Sequence, residues 1–509
     1  MRTVTGSTDR VVVVGAGLAG LATALHLAGR GRAVTVVERE PVPGGRAGRL
    51  DIGGYRLDTG PSVLTMPDIV ADTLAAVGED IGARLDLQPV VPAYRACFAD
   101  GSALDVHSDR DAMEHSIAEF AGPGEVAGYR RLRQWLTELY RIEFDRFIAA
   151  NFDSPLSLVT PALARLVALG GFRRLDRVIA EFLTDARLRR VFTFQSLYAG
   201  VSPQRALALY AVIAYMDTVG GVYFPRGGMR ALPTALAAAA TDAGVLFHYG
   251  EAVTELERRG NRISAVHTDK QRRITCDAVV LATELHTSYE LLRRSPRRPV
   301  RAQPAPSAVV AHIGVPAGAP TAHHTLLFGA AWEQTFDELI NQGVPMSDPS
   351  LLVTRPTATD PALAPPGHDL FSVLAPAPNL DRGAHLDWQR RAPGYGANLA
   401  AIVEQRLLPG FAEHADIVHL DSPDDWAQRG MPAGTPFSLA HTFTQTGPFR
   451  PANLPRGVSN AVLAGCGTVP GVGVPTALLS GRLAADRITG AAAGRNNPAP
   501  TANTSGVRP

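Results

Sequence analysis

The chain has 509 residues, 46% of them hydrophobic and 19% charged, which is too long for one ordinary core and apolar enough for two or three domains. Its net charge is +1, from 49 basic and 48 acidic side chains, so no basic excess marks a nucleic-acid partner. The cysteines Cys97, Cys276 and Cys466 are too far apart for a disulfide framework or a metal cluster, and they fit a reducing cytosol.

Residues 1–10 are polar, read as a flexible lead, and carry no signal-peptide pattern. Residues 11–14 are four valines, an apolar run suited to a strand buried on both faces. Gly15, Gly17 and Gly20 follow as G-x-G-x-x-G. An Ala/Leu-rich helix is expected over 18–30 and a second buried strand over 34–37, ending on Glu38. Gly15 permits the tight turn, Gly17 lets backbone approach a pyrophosphate, and Gly20 lets helix and strand pack closely. The helix N-terminus favours the diphosphate, and Glu38 can accept hydrogen bonds from ribose hydroxyls. This βαβ unit predicts dinucleotide binding without choosing between FAD and NAD. Just past it, Gly44 and Gly45 permit close backbone approach, and Arg46 offers a planar fork to a diphosphate. A strand pair closing on a Gly-Pro turn is expected over 53–62.

From about 105 to 225 the pattern is helical, with helices expected over 109–120, 126–150, 180–196 and 203–216. Between them, residues 154–175 contain no acid and carry Arg165, Arg173 and Arg174. Two readings stand: an interfacial segment with arginines at lipid phosphates, or a packed helix with snorkelling arginines. A glycine-rich turn over 220–229 leads to a helix over 231–243, a strand over 245–249, a meander over 252–275 and a buried strand over 278–283. The last of these predicts a return to the cofactor domain. The Pro/Arg stretch 293–306 reads as a domain boundary, and 307–450 as mixed strand and helix. His323 and His324 are adjacent, and on a strand such neighbours point to opposite faces. With no acid or cysteine at ligand spacing, no metal site is expected.

The last ordered stretch, 461–488, is an apolar strand, a loop carrying Gly465, Gly467, Gly471 and Gly473, and a helix. Such a passage offers backbone N–H groups near the N1–C2=O edge of a flavin, where they stabilise charge on the reduced ring. The tail, 491–509, is Pro/Ala-rich and is expected to be disordered.

Several strings go further than these patterns. GAGLAGLATALHL, PGGRAGRLDIGGYRLDTGPSVLTMPD, GGVYFPRGGMRALPTAL, HHTLLFGAAW, TDPALAPPGHDLFSVLAPAPNL, FRPAN and AGCGTVPGVGVPTALLSGRLAADRI resemble, in order, the bacterial phytoene desaturase family. The resemblance implies an α/β fold (α+β overall): a discontinuous Rossmann-like FAD-binding domain of the amine-oxidase type and a substrate domain with an apolar tunnel. The expected division is 11–104, 226–295 and 456–490 for FAD, 105–225 for a helical, membrane-associating subdomain and 296–455 for substrate. It implies FAD contacts at Gly15, Gly17, Gly20, Glu38, Arg39, Gly45 and Arg46, at Gly60, Pro61 and Ser62, at Val253, and at Gly465, Gly467, Gly473 and Val474. The expected activity is insertion of trans double bonds into a long polyene by hydride transfer to the flavin, with oxygen or a quinone reoxidising it. The expected location is cytoplasmic and peripheral to a membrane. A membrane-resident substrate brings the interfacial reading of 154–175 level with the packed one.

Two departures stand out. The family's T-H-P-G-A-G-I-P reads Thr468-Val469-Pro470-Gly471-Val472-Gly473-Val474-Pro475 here, which bears on which polyene fits. Its Ala-Asp pair is Thr283-Glu284. No catalytic residue follows; Asp58 and Glu284 read as structural, and Cys466 as a packed thiol. The other readings are a carotenoid oxygenase or ketolase, an amine oxidase, and a non-catalytic flavin- or carotenoid-binding membrane scaffold. The loop 466–475 has no aromatic residue to frame a flavin, which counts against the amine oxidase.

Overall fold

A computed structural model describes residues 1–295 and 302–490. Its centre is a five-stranded parallel sheet in the order Leu246–Tyr249, β2 (Ala33–Glu38), β1 (Arg10–Val14), Ala278–Leu281, Ala461–Leu463. The valine run has a simple explanation here. Val11 and Val13 face a helical layer that includes Leu21 and Leu25 of α1 (Leu18–Ala28) and Leu478 of the helix Val474–Thr489. Val12 and Val14 face Leu256, Ile263 and Val266 of a small antiparallel sheet. Both faces of β1 are covered, so alternation disappears from its sequence. Three separate stretches of chain supply the strands of this sheet.

Two helices beside this sheet meet at glycine. A Cβ on Gly481 would stand 2.4 Å from the Ala19 carbonyl oxygen, so only hydrogen fits between α1 and Val474–Thr489. The second sheet has seven strands: Asp416–Asp421, Ser307–Pro316, His368–Ala377, Leu351–Thr354, His324–Leu327, Tyr94–Cys97 and Ala103–Val106. All pairings are antiparallel except His324–Leu327 with Tyr94–Cys97. Its inner side chains, among them Val309, Ile313 and Phe371, pack on Trp388, Leu399 and Val403 of the helix Trp388–Arg406. The first cofactor segment, expected to run to residue 104, therefore gives its last two strands to this sheet.

The helical part departs from expectation in detail. Asp109 accepts a hydrogen bond from the Ala112 amide and starts Arg110–Ala121. The next helix begins at Pro123 and ends at Glu143, followed by one π-helical turn, Phe144–Ile148. The helix expected over 180–196 is instead two short ones, Ala186–Val191 and Ser196–Ala199. Asp185 restarts the chain there by accepting from the amides of Arg187 and Leu188. The stretch 203–216 gives a 3-10 turn, Ala208–Tyr210, and the helix Ala211–Thr218. Segment 154–175 folds as a 3-10 turn, Pro155–Leu158, and the helix Pro161–Ala168 capped by the Thr160 hydroxyl. Leu166 is buried, whereas Leu156 and Val159 are 79% and 77% exposed. The segment thus has a packed side and an apolar outer side.

Among the described residues no helix is long and apolar enough to cross a membrane. The strand pair near residue 53 is Arg49–Ile52 with Tyr55–Asp58, turning at Gly53-Gly54. The centre of the Pro/Arg linker and the expected disordered tail lie outside the described residues.

Candidate flavin site

The first glycine turn is as tight as its spacing requires. Gly15 has φ +103, its amide reaches the Val37 carbonyl at 2.8 Å, and a Cβ on Gly20 would fall 1.9 Å from the Gly15 oxygen. The loop after β2 lies directly on this turn. The Gly44 amide donates to the Ala16 carbonyl at 2.9 Å, and a Cβ on Gly45 would stand 3.1 Å from the Gly17 Cα. Glu38 is buried at the end of β2. Its carboxylate accepts from the Ala16 amide at 2.5 Å and the Glu40 amide at 2.9 Å, which fixes it beside the turn where a ribose would lie. Val253 is brought alongside by the Glu251 amide, bonded to the Glu38 carbonyl at 2.9 Å.

Arg46 has two protein partners at the cavity wall. Its Nη2 sits 2.6 Å from Glu284 Oε1 and its Nη1 donates to the Pro436 carbonyl at 2.8 Å. The guanidinium therefore binds three stretches of chain together at the cavity wall. Arg39 is exposed and paired with Glu40 and the Arg429 carbonyl. The turn carrying Gly60, Pro61 and Ser62 presses on the Arg46 loop, since a Cβ on Gly60 would fall 1.9 Å from the Arg46 oxygen.

At the far end, the loop 465–473 is held by groups the sequence did not single out. Arg450, buried, donates to the carbonyls of Cys466 at 2.7 Å and Thr468 at 3.0 Å. The Ser480 hydroxyl accepts from the Gly465 amide at 3.0 Å and donates to the Val469 carbonyl at 2.8 Å. Gly473, at φ +131, leads into Val474–Thr489. Arg450 sits inside the FRPAN string, and a lone arginine beside a glycine-rich signature was the available clue; its carbonyl partners lie in another segment.

One cavity of about 1320 Å³ joins both glycine passages. Gly15, Gly17, Glu38, Arg39, Gly44, Gly45, Arg46, Gly60, Pro61, Ser62 and Val253 line it, as do Gly465, Gly467, Gly473 and Val474; Gly20 supports the turn from behind. It continues past Val469 and Val472 to Leu158, Leu163 and Ile213 of the helical part. A backbone cradle that side chains would fill, with a buried carboxylate at one end and amides at a helix start at the other, fits FAD.

The other candidates have structural partners. Asp58 accepts from the amides of Met229 at 2.8 Å and Arg230 at 3.2 Å and caps the glycine turn before Ala231–Asp242; burial pushes its carboxyl up to about 7. His323 and His324 do not diverge as adjacent strand residues would: His323 precedes the strand, and the two rings lie 4.4 Å apart, bonded to Thr359 and Thr354. Among the described residues no three metal-ligating side chains are grouped.

Two strand-to-helix glycine passages converging on one cavity are the features of an FAD-dependent oxidoreductase. The chain belongs to the family of flavin containing amine oxidoreductases, whose model matches residues 18–489. It is 63% identical over 492 residues to the phytoene dehydrogenase of Streptomyces griseus, covering 96% of this chain and 97% of that one. It is 35% identical to a zeta-carotene-forming phytoene desaturase of Myxococcus xanthus, covering 94% and 93%, and 32% identical to a lycopene-forming phytoene desaturase of a Paracoccus species, covering 91% and 94%. An oxidoreductase of Methanosarcina mazei shares the fold at a TM-score of 0.59 and 17% identity, covering 93% of this chain and 98% of that one. Putrescine oxidase bound to putrescine does so at 0.59 and 17%, covering 94% and 98%.

Proposed function

We propose that this chain is a carotenoid desaturase that inserts trans double bonds into phytoene or a similarly long polyene. The observation that carries the reading is the continuity of one cavity from the glycine passages to an apolar channel in the helical part. The names of the relatives, matched over nearly the whole length, supply the substrate class. FAD, when bound, supplies a two-electron hydride acceptor. The chain's own work is to hold and to exclude. Glu38 and the first turn take the ADP half, and the amides of loop 465–473, fixed by Arg450, face the other half. Apolar walls at Leu158, Leu163 and Ile213 orient the polyene and keep water from the reacting carbons.

The polyene enters from a membrane in this proposal. Leu156, Val159 and Val167 are outward-facing apolar side chains on the same segment whose Leu158, Leu163, Leu166 and Phe172 line the cavity, so one short element serves bilayer and channel. Reoxidation by oxygen or a quinone closes the cycle. The test is direct: the holo-protein mixed anaerobically with phytoene in vesicles bleaches its flavin band, and the extracted product is lighter by pairs of hydrogens. Unchanged phytoene with an oxidised flavin would refute the reading; a gain of oxygen would replace it with the ketolase.

A further inference from the structure

We propose that His441 is the catalytic residue that accepts the proton lost from the polyene. This rests on the desaturase reading. Making one C=C bond takes a hydride and a proton from neighbouring carbons. The hydride would leave with its electron pair to the acceptor that a bound flavin supplies. The second C–H bond then breaks, its electrons become the new π bond, and the proton needs a base inside an apolar cavity.

His441 is the one histidine that lines the cavity among the described residues. Its ring lies against the flavin loop, since a Cβ on Gly471 would stand 2.5 Å from His441 Cε1. It is held there. The His441 amide donates to the Ala199 carbonyl at 2.8 Å, and the Tyr210 ring meets the imidazole edge-on at 5.9 Å. The Tyr210 hydroxyl is itself engaged with Thr446. Part of the His441 surface remains open while the residue lies deep in the protein. Burial and the neighbouring Arg450 guanidinium hold the ring well below the usual histidine range, hence neutral and able to accept.

The carboxylates of the cavity are otherwise placed. Glu38, Glu40 and Glu251 stand at the ADP end, and Glu284 is paired with Arg46. Burial pushes Glu143 well above the ordinary carboxylate value, and the side chains of Gln195 and Tyr94 hydrogen-bond Asp217. A weak base suffices, because the carbon left after hydride loss is a strong acid. Arg450 then favours release of the proton from the imidazolium to solvent.

The experiment compares wild type with H441A and H441Q as full-length holo-proteins. Both variants are expected to retain FAD and to melt with the wild type, while anaerobic flavin bleaching by phytoene slows roughly 100- to 10,000-fold at little-changed KM. Added imidazole should restore part of the rate in H441A. Independently of turnover, diethylpyrocarbonate should modify His441 in the wild type, read by peptide mass mapping, and a preloaded polyene should protect it. Unchanged bleaching in flavin-loaded variants, or modification blind to the polyene, would overturn the proposal. So would loss of FAD from both variants, which makes His441 a support of the loop. If wild type itself fails to bleach with phytoene, the desaturase reading has failed, a distinguishable result.

Discussion

At the scale of single residues, the site depends on atoms that are missing as much as on those present. Gly20 has no room for a methyl group against the Gly15 carbonyl, and backbone overlap of that kind forces the helix away from the strand. Gly20→Ala should cost about 3 kcal/mol or more of stability, read by denaturant unfolding, and should abolish FAD retention. Glu38 shows the opposite economy, a buried carboxylate already bonded to two amides. Charge-assisted bonds to a ribose are each worth about 2 kcal/mol, so Glu38→Ala should weaken FAD binding roughly 10- to 100-fold by equilibrium dialysis.

Asp217 sets a pH dependence. Its carboxyl, raised by burial against the smaller opposing effect of Gln195 and Tyr94, titrates at about 7 in the folded chain, up from the ordinary aspartate value of 3.8. A raised carboxyl stabilises fully below the unfolded value, and that contribution is lost as pH rises through the folded one. The stability of wild type minus that of Asp217→Asn should therefore fall between about pH 4 and pH 8, by on the order of 4 kcal/mol at most. A difference flat with pH in chemical denaturation would contradict this.

At the scale of elements, the chain fixes one loop with one cation. Arg450 reaches the carbonyls of Cys466, Thr468 and Gln445 from a neighbouring 3-10 segment. Arg450→Met keeps most of the volume and strands those oxygens without donors, a loss of about 3 kcal/mol. Its expected signature is a weakened hold on the isoalloxazine, seen as faster flavin dissociation with the ADP contacts intact. The close contact of α1 with Val474–Thr489 makes a similar demand, and Gly481→Ala should cost about 1–3 kcal/mol as overpacking.

Elements with strong local signals were legible from the chain. The valine strand, the glycine turn, α1 and the meander follow from patterns confined to a few residues, and the structure has them within a residue or two. The helices expected over 180–196 and 203–216 were not legible as they are, because their ends are set by Asp185 and by packing around the cavity. The partner of Arg46 was not legible either. Pairing with Glu284 spans 238 positions, and no local pattern encodes a contact at that separation.

At the scale of the molecule, one cavity ties the cofactor domain to the helical part and to its exposed apolar turn. The double variant Leu156→Asp, Val159→Asp leaves the core untouched, since both side chains stand in solvent. It should float poorly with anionic phospholipid vesicles and turn over slowly with vesicle-borne polyene, while FAD content and melting stay at the wild-type level. Equal flotation of variant and wild type would remove the docking role from this turn.

The sequence by itself determined the cofactor class and most of the cradle. Glycines at fixed spacing, a following helix and an acid at the strand end are consequences of backbone sterics and dipoles, which act over a few residues. Only the tertiary structure decided what surrounds that cradle: Arg46 on Glu284, Arg450 on the loop carbonyls, and His441 against Gly471. The reason is that these contacts satisfy buried charges and donors wherever the fold happens to bring a partner, and that choice is made by packing across the whole chain.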